Sequence, residues 1–169
     1  MKTSLFSLLC ILCILPRFAR GDDPLSESEK RHHTQLTGSL PLAKSVELFY
    51  GTPRRYGKWE LPSERVILLG DFEFYAASKT LSADVGKKIT ALVSDPASHG
   101  SYSGMKLCGG FHPDFCIIWR FEKDGQPWET KLFICMSCHE WRMIDTLSAL
   151  QDEIRPTAFA AIKALFPKK

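Results

Sequence analysis

The chain has almost no excess of charge: 22 basic against 19 acidic residues leave a formal +3. So small and scattered a surplus excludes the continuous basic surface on which phosphate-backbone binding rests, and no nucleic acid is expected as a partner. The one local concentration, "TPRRYGKW" at 52–59, contains Pro53 and Gly57 and reads as a solvated turn. Long apolar runs are lacking too. The longest, "LFSLLCILCIL" from Leu5 to Leu15, is too short to cross a bilayer, and neither Cys10 nor Cys13 follows the small residues of a lipobox. A recognisable nucleophile signature is missing as well, so the chain reads as a binding or structural domain rather than as an enzyme.

What is there begins with the leader. Lys2, the short apolar run and Ala19-Arg20-Gly21 make residues 1–21 a secretory signal, with cleavage expected near Asp22. Cleavage leaves no stable membrane span, and the location expected is periplasmic or extracellular. Residues 22–41 are polar and without apolar period, which predicts a flexible N-terminal arm. His32 and His33 lie on it and read as a solvated surface pair rather than a metal site. The remaining stretch, 42–169, has the length of a single domain with its own core.

Within that domain, "SVELFYGTP" and "RVILLGDFEFYAAS" have the β-branched and aromatic content of strands, punctuated by Gly51, Pro53 and Gly70. Ser82 caps a helix whose stripe is Val85, Ile89, Leu92 and Val93, ended by Pro96. Near the end of the chain, Leu147, Leu150 and Ile154 are spaced as on a helix, and after Pro156 a second stripe of Phe159, Ile162 and Phe166 begins. Together these predict an α+β fold: a small antiparallel sheet with a central hairpin, packed by two or three helices.

The hairpin is the most legible segment. Phe115, Ile117, Trp119 and Phe121 alternate with Cys116, Ile118, Arg120 and Glu122, and the second arm carries Trp128, Leu132 and Ile134 on one face, with "KDGQ" as the turn. Bringing both apolar sets to one face restricts the register, and the version that sets Arg120 opposite Glu129 avoids opposing Glu122 to Glu129. It also sets Cys116 opposite Phe133 and carries Phe111–Asp114 to the neighbourhood of Met136–His139. Beyond Ile134 the apolar positions change from even to odd at Trp141 and Met143, so a bulge or tight turn is expected between Cys135 and Glu140.

That turn holds Cys135, Cys138 and His139 in the C-x-x-C-H spacing of covalent haem attachment, which makes these three residues candidate cofactor ligands. A strand-associated kink is a poor setting for a c-type haem, the least favoured cofactor here. Zinc competes better. Cys108, His112, Cys135 and Cys138 supply three thiolates and one imidazole in two short pairs, the donor set of a closed tetrahedral site. The plainest reading, given export, is a disulfide joining Cys108 to Cys135 or Cys138, with Cys116 outside the set on the hairpin's other face. A Cys-His hydrolase with His112 as base and Asp114 as its orienting group has the residue types only. A thioredoxin-like site is weaker again, because its C-x-x-C needs a helix N-terminus. Ligand, partner and disulfide connectivity stay open at this level.

"CGGFHPDF", the apolar hairpin and "ICMSCHE", followed by a C-terminal helix, resemble a family of small exported bacterial proteins with C-G-F-H-x-D and I-C-x-x-C segments. The resemblance spans roughly residues 64–166. Met136 stands where the family pattern has Phe, and Cys116 is an addition to it. The likeness implies export, a bacterial source and a compact α+β domain; the family has no established activity and so implies no reaction.

Overall fold

The computed structural model describes residues 23–53, 63–104 and 110–166. The signal, Cys108 and most of the basic stretch at 52–59 lie outside those residues. In chain order the elements are helix α1 (Glu27–Thr37), strands β1 (Ser45–Tyr50), β2 (Val66–Leu69), β3 (Phe72–Tyr75) and β4 (Lys79–Thr80), then helix α2 (Ala83–Ser94). Strands β5 (His99–Gly100), β6 (Phe115–Lys123), β7 (Gln126–Cys135), β8 (Glu140–Ile144) and β9 (Ala149–Ile154) follow, and helix α3 (Pro156–Leu165) closes the fold. Seven strands form an antiparallel sheet in the order β4-β1-β6-β7-β8-β9-β5, and β2 and β3 pair as a separate hairpin. The architecture is the α+β arrangement expected, with the β6–β7 hairpin near the middle of the sheet.

The hairpin takes the register that charge pairing favours. Phe115 faces Ile134, Cys116 faces Phe133 and Arg120 faces Glu129. Arg120 Nη1 donates to Glu129 at 2.8 Å while its Nε and Nη2 hold Glu47 of β1 at 2.9 and 3.1 Å. On the other face Ile117, Trp119, Leu132 and Ile134 join Trp141 and Met143 in the main core, closed over by Leu36 and Leu40, by Ile89 and Val93 of α2, and by Ala158 and Ile162 of α3. Trp119 is fully buried, and its indole N–H is satisfied by Thr90 Oγ1 at 2.8 Å. Removing such a side chain costs about 3–5 kcal/mol. The outer face has a smaller core, in which the β2–β3 hairpin lays Phe74 over Phe49, Cys116, Ile118 and Phe133.

Two expectations are corrected. The flexible arm at 22–41 is for the most part helix α1, started by a capping box in which Ser26 Oγ accepts from Glu29 N at 3.3 Å and Glu29 accepts from Ser26 N at 2.7 Å. Its inward stripe is His33, Leu36 and Thr37, continued by Leu40. Two of those four are polar, which is why composition made the segment look unable to pack. His33 is accordingly no solvated residue: it is 0% exposed. The second correction concerns 147–154, where the helical spacing gives way to strand β9. Its core-facing set is Leu150, Asp152 and Ile154, opposite Met143, Trp141 and, on β5, His99. A carboxylate in the middle of that set hid the alternation of a strand.

Candidate functional site

The expected interruption lies where the phase of the apolar residues placed it. Strand β7 ends at Cys135, β8 starts at Glu140 directly opposite, and residues 136–139 make the tight turn between them. His139 occupies the left-handed region with φ 57°, and its carbonyl accepts from Ile154 N at 2.8 Å. Asp114 fastens the near side: its Oδ2 accepts from Met136 N at 2.7 Å and its own N–H donates to Ile134 O at 2.8 Å. The Asp114 carbonyl accepts from Gly51 N at 2.8 Å, and Gly51 sits so close to Pro113 that a Cβ there would fall 2.1 Å from the Pro113 oxygen. Only glycine permits that approach. The convergence of 110–114 with 136–139 is therefore built into the sheet register.

Sulfur chemistry at the turn is sheltered. Cys135 is 0% and Cys138 3% exposed, and Ser137 Oγ stands 3.4 Å from the first sulfur and 4.0 Å from the second. Cys138 Sγ donates to Gly110 O at 3.6 Å. No disulfide joins Cys116, Cys135 and Cys138 to one another. Cys116 is walled in by Phe49, Phe74 and Phe133, and burial pushes its thiol pKa far up, leaving an inert core side chain. Because Cys135 continues the odd-numbered set of Phe133, it lies on the same sheet face as Cys116, not on the opposite face as expected.

No family model, curated protein or solved structure matches the chain.

The ligand sets proposed for the turn fare differently. A c-type haem fits poorly: both thiols are buried, and the His139 ring is packed against Phe159 of α3 with centroids 4.0 Å apart. Among the described residues no group of three His, Cys, Asp or Glu side chains is placed to hold a metal ion, so His112, Cys135 and Cys138 do not by themselves make a zinc site. Cys108, the remaining member of that set, lies outside the described residues.

Beside the turn opens a cavity of about 810 Å³, walled by Tyr50, Tyr75 and Phe115 and edged by His112, Asp114 and Ser137. Lys79 and Glu64, of opposite charge, also line it. The lining comes from the ends of β1, β3 and β6 and from the β3–β4 connection. Of these residues, the sequence had singled out only His112 and Asp114 as chemical candidates.

A second polar constellation escaped sequence reasoning altogether. His33 of α1, His99 of β5 and Asp152 of β9 meet in the main core, each at most 2% exposed. His99 Nδ1 is 2.9 Å from Asp152 Oδ2, and the two Nε2 atoms are 3.0 Å apart. Both approach the carbonyl of Val93 near the end of α2, His33 at 2.8 Å and His99 at 2.9 Å. Trp141 covers His99 with ring centroids 4.2 Å apart. The only sequence signal for the first partner was the capping box ahead of His33.

Proposed function

We propose that this chain is an exported, non-catalytic binding domain whose ligand is a small polar molecule seated in the cavity at the open end of the central hairpin. The cavity itself carries the reading: its volume of about 810 Å³ lies in the range of small-molecule sites, and it combines aromatic walls with a few converging polar groups. The cysteines act in support of it. Cys138 stands 3.6 Å from the Gly110 carbonyl, two residues from Cys108 in sequence, which favours Cys138 over Cys135 as the partner of Cys108 in a disulfide. Such a staple would tie the 108–114 segment, and with it the His112 and Asp114 edge of the cavity, to the turn. The leader and the resemblance to small exported bacterial proteins support an oxidising compartment, in which that bond persists. A Cys3His zinc site is the weaker alternative, since it would depend on Cys108 to gather donors that the other three residues do not group.

The test is a thermal-shift screen of the intact oxidised protein against sugars, amino acids and nucleosides, repeated on Ser137→Trp. Ser137 is exposed at the cavity edge, so the indole should occupy the cavity and leave the fold intact. A compound that raises the melting temperature of the wild type and leaves the variant unmoved is the expected result. Hits that shift both proteins equally would refute the site.

A further inference from the structure

The protons of the buried histidine cluster do not add up to a comfortable arrangement. His99 gives its Nδ1 hydrogen to Asp152, so the neutral ring presents a bare lone pair at Nε2. That lone pair meets the Val93 carbonyl oxygen, another acceptor, at 2.9 Å. One donor, the His33 Nε2 hydrogen, serves both acceptors, from 3.0 and 2.8 Å. His33 Nδ1 and Asp152 Oδ1 are each buried without a hydrogen-bond partner. The cluster thus has room for an added proton, but not for two: with both rings doubly protonated, two imidazolium groups would stand 3.0 Å apart with one carboxylate between three elements.

We propose that His33, His99 and Asp152 form an acid-sensitive latch that holds helix α1 on the sheet at neutral pH and releases it as the medium acidifies. The rings are unequally anchored. His99 belongs to strand β5, paired with β9, and lies against the Trp141 ring, whereas His33 reaches the cluster from helix α1, which is tied to this edge of the sheet near its start by Ser101 Oγ donating to Glu29 and to the Pro24 carbonyl. Charge repulsion between the rings therefore displaces α1. The surroundings pull both ways. Burial and the neighbouring His99 hold the His33 pKa below its usual 6.5, against the Val93 carbonyl, Asp152 and Asp95, which favour the proton. The carboxy-terminal end of α2 favours it too. On α1 itself, Glu29 is one turn away and is held by Ser26 and Ser101, while His32 lies beside His33. On β9, Glu153 points to the opposite face and accepts from Ser103 N at 3.3 Å. Glu140 and Arg142 flank Trp141 on that same far face of β8.

A depressed histidine pKa means that the unfolded or undocked state binds more protons, so docking is fully supported above pH 6.5 and weakens as pH falls below it. Amide hydrogen exchange of the intact chain between pH 7.5 and 5.0, corrected for intrinsic rates, reads this directly. Protection of α1 should fall by up to about tenfold per pH unit below 6.5 while β6 and β7 keep theirs. His33→Gln, which keeps a donor toward Val93 and cannot titrate, should flatten the α1 profile, and His32→Gln should leave it as in the wild type. Should His33→Gln fail to fold, the ring resonances of wild-type His33 decide by whether their titration midpoint coincides with α1 opening. Equal loss of protection in α1 and the hairpin, or a ring that stays unprotonated until the sheet unfolds, would overturn the latch.

Discussion

Two regions of this molecule gather histidine with other polar side chains, and they differ in how they are assembled. The turn at 135–139 is local: its cysteines, serine and histidine are neighbours in sequence, and its outer members Ser137 and His139 are exposed. The cluster of His33, His99 and Asp152 joins residues 66 and 53 positions apart and is shut off from water. Solvent can replace partners lost at the turn. Inside the core it cannot, and an ion left alone there carries its whole desolvation cost. The two regions should therefore respond to substitution on different scales.

The largest effect is expected from His99→Ala, which strands the Asp152 carboxylate in the core. Breaking a buried pair of this kind costs about 3–5 kcal/mol, measured as the shift in chemical denaturation at pH 7.5. A loss under about 1 kcal/mol would mean that the His99–Asp152 pair contributes little to the core, and the contrast between the regions would dissolve.

Next in size is the turn under oxidising conditions. Cys138→Ser should cost about 2–4 kcal/mol in protein prepared without reductant, and far less when both proteins are compared in reductant. The redox dependence sharpens the comparison, because a merely packed thiol would cost the same in both. Peptide mapping should find Cys108 alkylated only in the variant. Equal losses with and without reductant would leave Cys138 as a core residue and remove the staple.

The same contrast sets what could be read before any coordinates. The hairpin register was legible because two alternating apolar faces and one arginine between glutamates admit few pairings, and the observed match of Arg120 with Glu129 follows from them. The turn was legible because a strand that ends changes the parity of its apolar positions, as Ile134 to Trp141 does. Helix α1 was not, since His33 and Thr37 fill half of its inward stripe, and strand β9 was not, since Asp152 occupies its central core position. Both misreadings have one cause. Polar residues that find partners across the fold behave as core residues, and the pairing that makes them so is long-range and leaves no periodic trace. The cavity was missed for a related reason, its walls coming from β1, β3 and β6 together.

The smallest effect should come from His139, the residue that spacing alone made most suspect. Its φ of 57° places it in the left-handed region, where a side chain costs roughly 1–2 kcal/mol and glycine costs nothing. His139→Gly would recover that strain. It would also lose the ring contact with Phe159, worth about 0.5–1.5 kcal/mol, and add unfolded-state entropy of about 0.5–1 kcal/mol. These contributions offset one another, so the variant should lie within about 1 kcal/mol of the wild type in urea unfolding. His139→Asn separates them, for asparagine tolerates the same backbone and lacks the ring, and it should be the less stable of the two only if relief of strain outweighs the entropy of glycine. A loss above about 2 kcal/mol in both variants would show that the ring, rather than the backbone it sits on, holds the turn, and would return His139 to the group of residues on which the site depends.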